Sequence, residues 1–309
     1  MNPLGRCLVT GVSGVVGAGL LRHLLSEGED AVGVVGTRLP PADLSARAVD
    51  LRERTAVREA LRGVHTVFHA AARVGTAVYK ASNPATVFAE NLTMTLNVLD
   101  AAVQNDVKRV VYFSSAEIYA AAREPFEEDE GFLGSPPPGP EGYIWAKRMC
   151  EKAGEFFSRQ YGIGWSVLRP NNVYGPDEQG DDNGRVVAVM CAHALRGEDI
   201  VLWGDGSQRR SFLFSSDLAR AARLSALHGV DAGPVNVAGS EETTLSSLAE
   251  LVIELAGTRS RVVCDQTKPS GAPTRRVDTS RARALLGFEP RVTLRDGIRS
   301  CLAARANAA

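Results

Sequence analysis

The stretch Thr10-Gly11-Val12-Ser13-Gly14-Val15-Val16-Gly17 decides the fold of this chain. It follows the short apolar run Cys7-Leu8-Val9, typical of a buried strand, and it opens a segment whose apolar residues recur at helical spacing. A strand, a glycine-rich turn and a helix deliver backbone N–H groups and a helix N-terminus to a diphosphate. In this arrangement Gly11 permits the tight turn, Gly14 the approach of the phosphate, and Gly17 the close packing of helix on strand.

The glycine spacing is G-x-x-G-x-x-G rather than G-x-G-x-x-G, and by itself it leaves a plain strand-to-helix turn open. Further apolar strands are predicted at 31–35, 66–69 and 109–113, and helical patterns alternate with them. Strands that are apolar throughout and alternate with helices indicate a parallel sheet covered on both faces. The predicted fold class is therefore α/β, a Rossmann-type doubly wound parallel sheet with a smaller C-terminal α/β substrate lobe.

The division between the two lobes is placed where the regular pattern loosens, after Arg169. Residues 1–170 are predicted to form the dinucleotide-binding Rossmann domain, and the chain is predicted to return to it around 209–239. Residues 171–208 and 240–309 are predicted to form the substrate-binding lobe.

Composition narrows the classes of function. The 309 residues are 44% hydrophobic and 23% charged, which is ordinary for a globular enzyme. A net charge of −1 gives no bulk attraction to nucleic acid or to an anionic membrane, so neither is an expected partner. The sequence shows neither an apolar run of transmembrane length nor the pattern of a signal peptide, and a cytoplasmic protein is expected.

The cysteines and histidines do not indicate a metal site. The five cysteines are odd in number, lie far apart and form no C-x-x-C pair, so buried free thiols are expected. The five histidines lack metal-ligand spacing, and we interpret His69 and His193 as structural residues.

Tyr143 and Lys147 lie four residues apart and therefore share one face of a predicted helix. A phenol has an ordinary pKa of about 10, too high for a base at neutral pH. A lysine cation one turn away favours the phenolate, so the spacing predicts a lowered pKa for Tyr143 and a role in acid–base catalysis. Ser115, at the tip of the strand 109–113, is placed to hydrogen-bond the same substrate oxygen. An ordinary amphipathic helix explains Y-x-x-x-K alone, but not its combination with Ser115 and the glycine motif.

Four stretches together carry the motifs of a known family. They are 10–17, Ser114-Ser115-Ala116-Glu117-Ile118-Tyr119, Tyr143-x-x-x-Lys147 and Arg169-Pro-Asn-Asn-Val-Tyr-Gly-Pro176. They resemble the extended short-chain dehydrogenase/reductases and, more narrowly, the nucleotide-sugar epimerase/dehydratase family. Residues 204–212 and 278–290 look like that family's second-lobe motif and C-terminal signature, so the resemblance runs through almost the whole chain.

The resemblance implies a role for each matching position. Tyr143 is the base, Lys147 its activator and a ribose ligand, and Ser115 the clamp on the substrate oxygen. The implied cofactor-binding residues are Gly11, Ser13, Gly14, Val15, Val16, Gly17, Arg38, Asp50, Leu51, Ala70, Ala71, Tyr143 and Lys147. The implied substrate-binding residues are Ser115, Ala116, Asn172, Arg210 and Arg275, of which Asn172 and Arg210 hold the nucleotide diphosphate.

Glu117 leaves the chemistry open. A carboxylate two positions after Ser115 can abstract a C–H proton, as the family's dehydratases and decarboxylases do, and the alternative is a carboxylate that only hydrogen-bonds locally. Segments 70–75, 101–107 and 268–273 resemble GDP-fucose synthases. This chain, however, has Glu117 and Asp177 where that enzyme's pattern has the cysteine and histidine that move protons on sugar carbons.

The end of the second strand bears on the choice of cofactor. In NAD-using relatives an acidic residue there accepts hydrogen bonds from the ribose hydroxyls. Here Val35 takes that position, followed by Gly36-Thr37-Arg38. The missing acid removes repulsion against a 2′-phosphate and Arg38 is placed to pair with one, so NADP(H) is slightly favoured over NAD(H). Asp50, at the end of the third strand, is expected to contact the adenine edge.

The function expected from these inferences is an NAD(P)-dependent nucleotide-sugar epimerase that acts through a 4-keto intermediate. Hydride transfer at C4 accompanies proton transfer to Tyr143, and the substrate partner is a nucleotide-diphosphate sugar. The alternatives are a dehydratase that uses Glu117 and an NADPH-dependent 4-keto sugar reductase of the GDP-fucose-synthase type. Intact Ser115, Tyr143 and Lys147 disfavour a non-catalytic dinucleotide sensor. A homodimer is expected by analogy, through the helices that carry 92–103 and Tyr143.

Overall fold

The structure is a computed structural model, and it describes residues 3–119, 124–178, 184–229, 231–268 and 272–307. The strands are β1 (Cys7–Thr10), β2 (Ala31–Val35), β3 (Ala46–Ala48), β4 (Thr66–His69), β5 (Arg109–Phe113), β6 (Gly164–Pro170), β7 (Val173–Tyr174), β8 (Ile200–Trp203), β9 (Arg209–Ser211), β10 (Leu213–Phe214), β11 (Pro234–Val237), β12 (Glu242–Thr244) and β13 (Val262–Asp265). The helices are α1 (Val15–Ser26), α2 (Arg54–Ala60), α3 (Ala77–Ser82), α4 (Pro84–Gln104), α5 (Glu141–Tyr161), α6 (Val186–Arg196), α7 (Ser215–His228), α8 (Leu245–Ala256), α9 (Ser280–Leu286) and α10 (Leu294–Ala306). Short 3-10 turns cover Ala116–Ile118 and Glu128–Glu130.

Seven strands form one parallel sheet in the order β11-β6-β5-β4-β1-β2-β3. From β1 the chain first adds β2 and β3 on one side, and then β4, β5 and β6 on the other. The loops that leave the carboxyl ends of β1 and β4 therefore run to opposite faces, which opens a ligand crevice between them. The predicted doubly wound parallel sheet is confirmed.

Helices cover both faces of this sheet, so its central strands alternate between two cores. Cys7 and Val9 on β1 pack in the core shared with α1 and α7, whereas Leu8 between them packs in the core shared with α2, α4 and α5. All three side chains are fully buried. Burial on both faces explains why the strand is apolar at every position rather than at alternate ones.

A third core lies between α6, α8 and α10, where Met190, Leu248 and Ile298 are buried. The segment 282–288 packs instead in the core of α1 and α7. We keep the predicted two-lobe division as a proposal, with α9 resting on the first lobe.

The structure tests the predictions made for the cysteines and describes the length and hydrophobicity of the helices. All five cysteines are free, and four are buried. Cys264 is exposed, so the prediction of a buried thiol was wrong there, because β13 pairs only with β8 in a two-stranded sheet. In the described part of the chain, no helix is long and apolar enough to cross a membrane, and no cluster of three or more His, Cys, Asp or Glu residues is suited to a metal ion.

A buried ion pair joins α5 to the sheet. Arg169 on β6 binds both carboxylate oxygens of Glu151, with Nε to Oε1 at 3.0 Å and Nη2 to Oε2 at 2.7 Å. The two side chains are 2% and 6% exposed. The remaining guanidinium nitrogen donates to the hydroxyl of Tyr119 and to the carbonyl of Glu128. Because removing one partner of such a pair costs about 3–5 kcal/mol, the pair holds α5 in a fixed position on β6.

Candidate active site

The turn after β1 packs directly on the turn after β4, and at Gly11 this close approach leaves no room for a side chain. Gly11 has a φ of +75°, and a Cβ on it would lie 2.7 Å from Cα of Ala71. A Cβ on Gly17 would lie 2.3 Å from the carbonyl oxygen of Gly11. A Cβ on Gly14, by contrast, would meet its nearest neighbour at 3.5 Å. The space in front of Gly14 is therefore open, while Gly11 and Gly17 close the backbone behind it.

The N-terminus of α1 faces this open space. The helix begins at Val15 with Gly14 as its N-cap, and no side chain caps it. The amides of the first turn, which include those of Val15, Val16 and Gly17, have no partner within the helix and carry the positive end of its dipole. With Ser13 beside them, these groups fit the diphosphate of a dinucleotide.

His69 fixes the two turns relative to each other. Its Nδ1 lies 2.9 Å from Oγ1 of Thr10, which also accepts from the amide of Ala71 at 3.0 Å. Its Nε2 lies 3.2 Å from Oγ1 of Thr95 on α4. Burial, together with the charge of Lys147, lowers the pKa of His69 to about 3, so the ring is neutral and structural. The backbone of Ala70 and Ala71 is thereby held beside the glycine turn.

The residues predicted to contact the adenosine end of the cofactor differ in burial and in their contacts. Val35 is buried at the end of β2, and Arg38 is exposed in the loop that follows. Asp50 accepts from Arg52 at 2.7 Å, and this pairing lowers the pKa of Asp50. The side chain of Leu51 is buried in the core of α2 and α4, so it is unavailable to a ligand.

Ser115, Tyr143 and Lys147 come together at the carboxyl end of β5. The Ser115 hydroxyl accepts from the amide of Glu117 at 3.0 Å, and Ser115 lies close enough to Tyr143 to act on the pKa of its phenol. Lys147 donates from Nζ to the carbonyl oxygen of Phe113 at 2.6 Å, and its Nζ lies 5.7 Å from the centroid of the Tyr143 ring. Both Tyr143 and Lys147 are buried.

The pKa of Tyr143 is raised, so the predicted lowering was wrong. Burial is the main cause and the Glu117 carboxylate adds to it, against the opposing effect of the Ser115 hydrogen bond. Lys147 does not reverse this, because its ammonium is directed at the Phe113 carbonyl and burial lowers the pKa of Lys147 to about 8. Tyr143 is therefore a protonated phenol at neutral pH, suited to donate a proton.

Glu117 is bound by a residue that the sequence analysis missed. Nζ of Lys80, on α3, lies 2.9 Å from one carboxylate oxygen of Glu117 and 2.7 Å from the other. The same Nζ lies 4.9 Å from the centroid of the Tyr143 ring. Lys80 belongs to no motif, and only the packing of α3 against α5 places it here.

Two of the predicted substrate residues, Ala116 and Asn172, make contacts within the protein. Ala116 is buried in a small core with Ile118 and Phe126, so its side chain serves packing. Asn172 is exposed, has a φ of +42° and donates from its amide to the carbonyl of Ser211 at 2.9 Å.

Two of the predicted substrate residues, Arg210 and Arg275, are arginines without a bound carboxylate. Burial, and after it the charge of Arg275, lowers the pKa of Arg210, and the charge of Glu124 opposes this lowering. The neighbouring Arg209 and Arg276 both pair with Glu242, but within the described residues no carboxylate forms an ion pair with Arg210 or Arg275. Two adjacent guanidinium groups that no carboxylate binds are suited to an anion.

Asp177, which occupies the position of a proton-moving histidine in the resembling enzymes, is held by α1. Its carboxylate accepts from Arg22 at 2.6 and 2.8 Å, and Arg22 also binds Asp43. The ion pair engages both oxygens of Asp177, so the residue joins α1 to the chain after β7.

Comparison with known proteins agrees with this geometry. The model of the NAD dependent epimerase/dehydratase family matches residues 7–238. The dTDP-4-dehydro-6-deoxy-D-allose reductase of a Streptomyces species is 35% identical over 305 residues, which cover 94% of this chain and 93% of the relative. The GDP-L-fucose synthase of Escherichia coli K12 is 31% identical and covers 96% and 94%. The crystal structure of the UDP-glucose 4-epimerase of Thermotoga maritima with UDP-glucose aligns with a TM-score of 0.88 at 26% identity, covering 98% of this chain and 99% of that one.

The glycine turn yields a test of the dinucleotide site. We expect Gly14→Ala to leave thermal unfolding unchanged, because its methyl group has room, but to weaken nicotinamide cofactor binding about tenfold or more by filling the phosphate's place. Gly17→Ala is expected to destabilise the fold by about 1–3 kcal/mol, because its methyl group would overlap the Gly11 carbonyl. Thermal unfolding and fluorescence titration measure the two effects, and unchanged cofactor affinity in Gly14→Ala would contradict the assignment.

Proposed function

The chain belongs to the NAD dependent epimerase/dehydratase family, and from this we propose that it reduces the 4-keto group of a nucleotide-diphosphate sugar. The observation that carries the proposal is the placement of Ser115, Tyr143 and Lys147 together at the carboxyl end of β5, in the sheet that also holds the glycine turn, with Nζ of Lys147 5.7 Å from the centroid of the Tyr143 ring. The names of two relatives, a 4-dehydro sugar reductase and a GDP-L-fucose synthase, support the same direction. This ranks the reductase, an alternative in the sequence analysis, ahead of the epimerase expected first.

The chain's own residues have distinct tasks in this reaction. The turn 11–17 binds the diphosphate of the cofactor, and the bound nicotinamide supplies the hydride. Ser115 orients the ketone oxygen, and Tyr143 donates its proton to that oxygen as negative charge develops there. Lys147, whose pKa is about 8, is largely cationic at neutral pH and stabilises the phenolate that remains. Arg210 and Arg275, with Asn172 beside them, hold the diphosphate of the substrate.

Replacing the proton donor tests this function. A screen of UDP-, GDP-, dTDP- and CDP-linked 4-keto sugars, followed by nicotinamide absorbance, is expected to identify a substrate. With that substrate, Tyr143→Phe should lower kcat by about 10²–10⁴-fold, because the phenol delivers the proton. Thermal stability should stay unchanged. Tyr161→Phe, at an exposed position on the same helix, is the matched control. Undiminished turnover by Tyr143→Phe would exclude the mechanism.

An epimerase that oxidises and re-reduces C4 is the second candidate. It is favoured by the similarity to the UDP-glucose 4-epimerase of Thermotoga maritima, which extends over nearly the whole of both chains. The same Ser115 and Tyr143 serve both reactions, because hydride and proton transfer at C4 are reversible. A reductase consumes one NADPH for each product, whereas an epimerase retains its cofactor and shows no net change in nicotinamide absorbance.

We propose a preference for NADP(H) over NAD(H), since Val35 replaces the acid at the end of β2 and Arg38 is exposed in the following loop. Titration should give tighter binding of NADPH than of NADH. Arg38→Ala should weaken NADPH about tenfold, because the 2′-phosphate loses its partner, and should leave NADH unchanged as the internal control. Tighter binding of NADH by the unaltered protein would refute the preference.

We also propose a homodimer through α4 and α5. Their outer faces carry an open apolar groove of about 410 Å³, whose lining includes Phe88, Trp145 and Met149, and Trp145 is 39% exposed. Light scattering should give about twice the chain mass of 32.9 kDa, and Trp145→Glu should give the monomer, because it places a charge on an apolar contact. A monomeric unaltered protein would refute the dimer. We further propose a cytoplasmic location, which suits five free thiols.

A further inference from the structure

We propose that Lys80 is a positioning residue of this active site, because it neutralises the Glu117 carboxylate beside Tyr143. Glu117 then has an electrostatic role rather than that of a proton donor. The inference rests on the proposed function, in which Tyr143 delivers the proton to the substrate oxygen. It adds a residue that no motif indicates and a reason for a glutamate so close to that tyrosine.

The ammonium of Lys80 lies between the carboxylate and the phenol ring. It donates to both oxygens of Glu117, at 2.9 and 2.7 Å, and lies 4.9 Å from the centroid of the Tyr143 ring. Its side chain is only 9% exposed, whereas that of Glu117 is 35% exposed. The Lys80 side chain is therefore buried in the protein, whereas the Glu117 carboxylate remains partly exposed to solvent.

The backbone around both residues is fixed. The side chain of Thr76 caps α3, accepting from the amide of Tyr79 at 3.1 Å, one residue before Lys80. Ser115 caps the 3-10 turn that carries Glu117. The pair thus joins two capped elements, and its geometry does not depend on a mobile loop side chain.

The charges that face Tyr143 come from every neighbouring element. The turn after β5 contributes Glu117, α3 contributes Lys80, and α5 itself contributes Lys147. Cys150, also on α5, is a neutral thiol, because burial raises its pKa. Arg185, at the start of α6, also faces the phenol, but its guanidinium is paired with Glu178.

Lys147 is directed at the Phe113 carbonyl. Lys80 is therefore the cation in direct contact with Glu117, the acid that acts on Tyr143. Removing Lys80 would leave that acid uncompensated.

The pairing also limits what Glu117 can do. The ammonium of Lys80 contacts both oxygens of the carboxylate, so a proton can reach or leave Glu117 only when that contact is broken. Glu117 is therefore unsuited to abstract the C–H proton that a dehydratase removes or to give a proton to the leaving hydroxyl.

The experiment is a double-mutant cycle on the pH profile of kcat, with the substrate found in the screen. In ketone reduction kcat falls as pH rises through the pKa of the proton donor. Lys80→Met should move this fall upward by about 1 pH unit, because the bare carboxylate opposes the phenolate. Glu117→Gln should move it downward by a similar amount, because Lys80 is then unopposed. The double variant should return the midpoint to within a few tenths of a pH unit of the unaltered enzyme.

A purely structural role for Lys80 would lower kcat in Lys80→Met without moving the midpoint, and the double variant would not restore it. That result overturns the proposal. Lys152→Met is the matched control, because Lys152 forms a solvent-exposed ion pair with Glu155 at 2.7 Å on the same helix as Tyr143. The control should have the midpoint of the unaltered enzyme.

A second readout needs no turnover. In protein labelled with carbon-13 at the glutamate carboxyls, the Glu117 signal is assigned by its loss in Glu117→Gln. At one fixed neutral pH, Lys80→Met should shift this signal, because the ammonium no longer contacts the carboxylate. An unmoved Glu117 signal overturns the proposal. If no nucleotide sugar is turned over, the proposed function fails, whereas the carboxyl signal still decides whether Lys80 contacts Glu117.

Discussion

The buried ion pair between Arg169 on β6 and Glu151 on α5 is the constraint on which the chemistry of this protein depends. Two charges removed from water remain stable only while both partners and their hydrogen bonds are in place. Glu151 lies one turn after Lys147 and two turns after Tyr143 on α5, so the pair sets where both stand. The same network reaches β11, because the Tyr119 hydroxyl that binds Arg169 donates to Asn236 at 2.6 Å.

The site combines three electrical environments. The N-terminus of α1 offers uncapped amides, and Arg210 and Arg275 offer guanidinium groups that no carboxylate of the described residues pairs with, so both suit anionic groups. Between them, burial keeps Tyr143 protonated, and the Lys80–Glu117 pair places compensated charge beside it. An oxygen that gains negative charge during reduction is therefore met by a proton donor rather than by a free anion.

Several features of the site followed from the sequence. The glycine turn, the parallel sheet and the approach of Ser115 to Tyr143 and Lys147 all depend on local spacing and on strands that are apolar throughout. One prediction was wrong because it depended on the surroundings of a side chain. Lys147 was expected to lower the pKa of Tyr143, but its ammonium is directed at Phe113 and burial raises that pKa.

The sequence by itself determined the order of strands and helices, the positions where only glycine permits close approach, and the family. These properties reside in residues close together in the chain, where periodicity and backbone sterics act. The tertiary structure alone decided the charges around the reacting groups. Lys80 and Glu117 are 37 residues apart in the chain, and Arg169 and Glu151 are 18 apart. Their interaction depends on distances and burial that exist only after the helices have packed on the sheet.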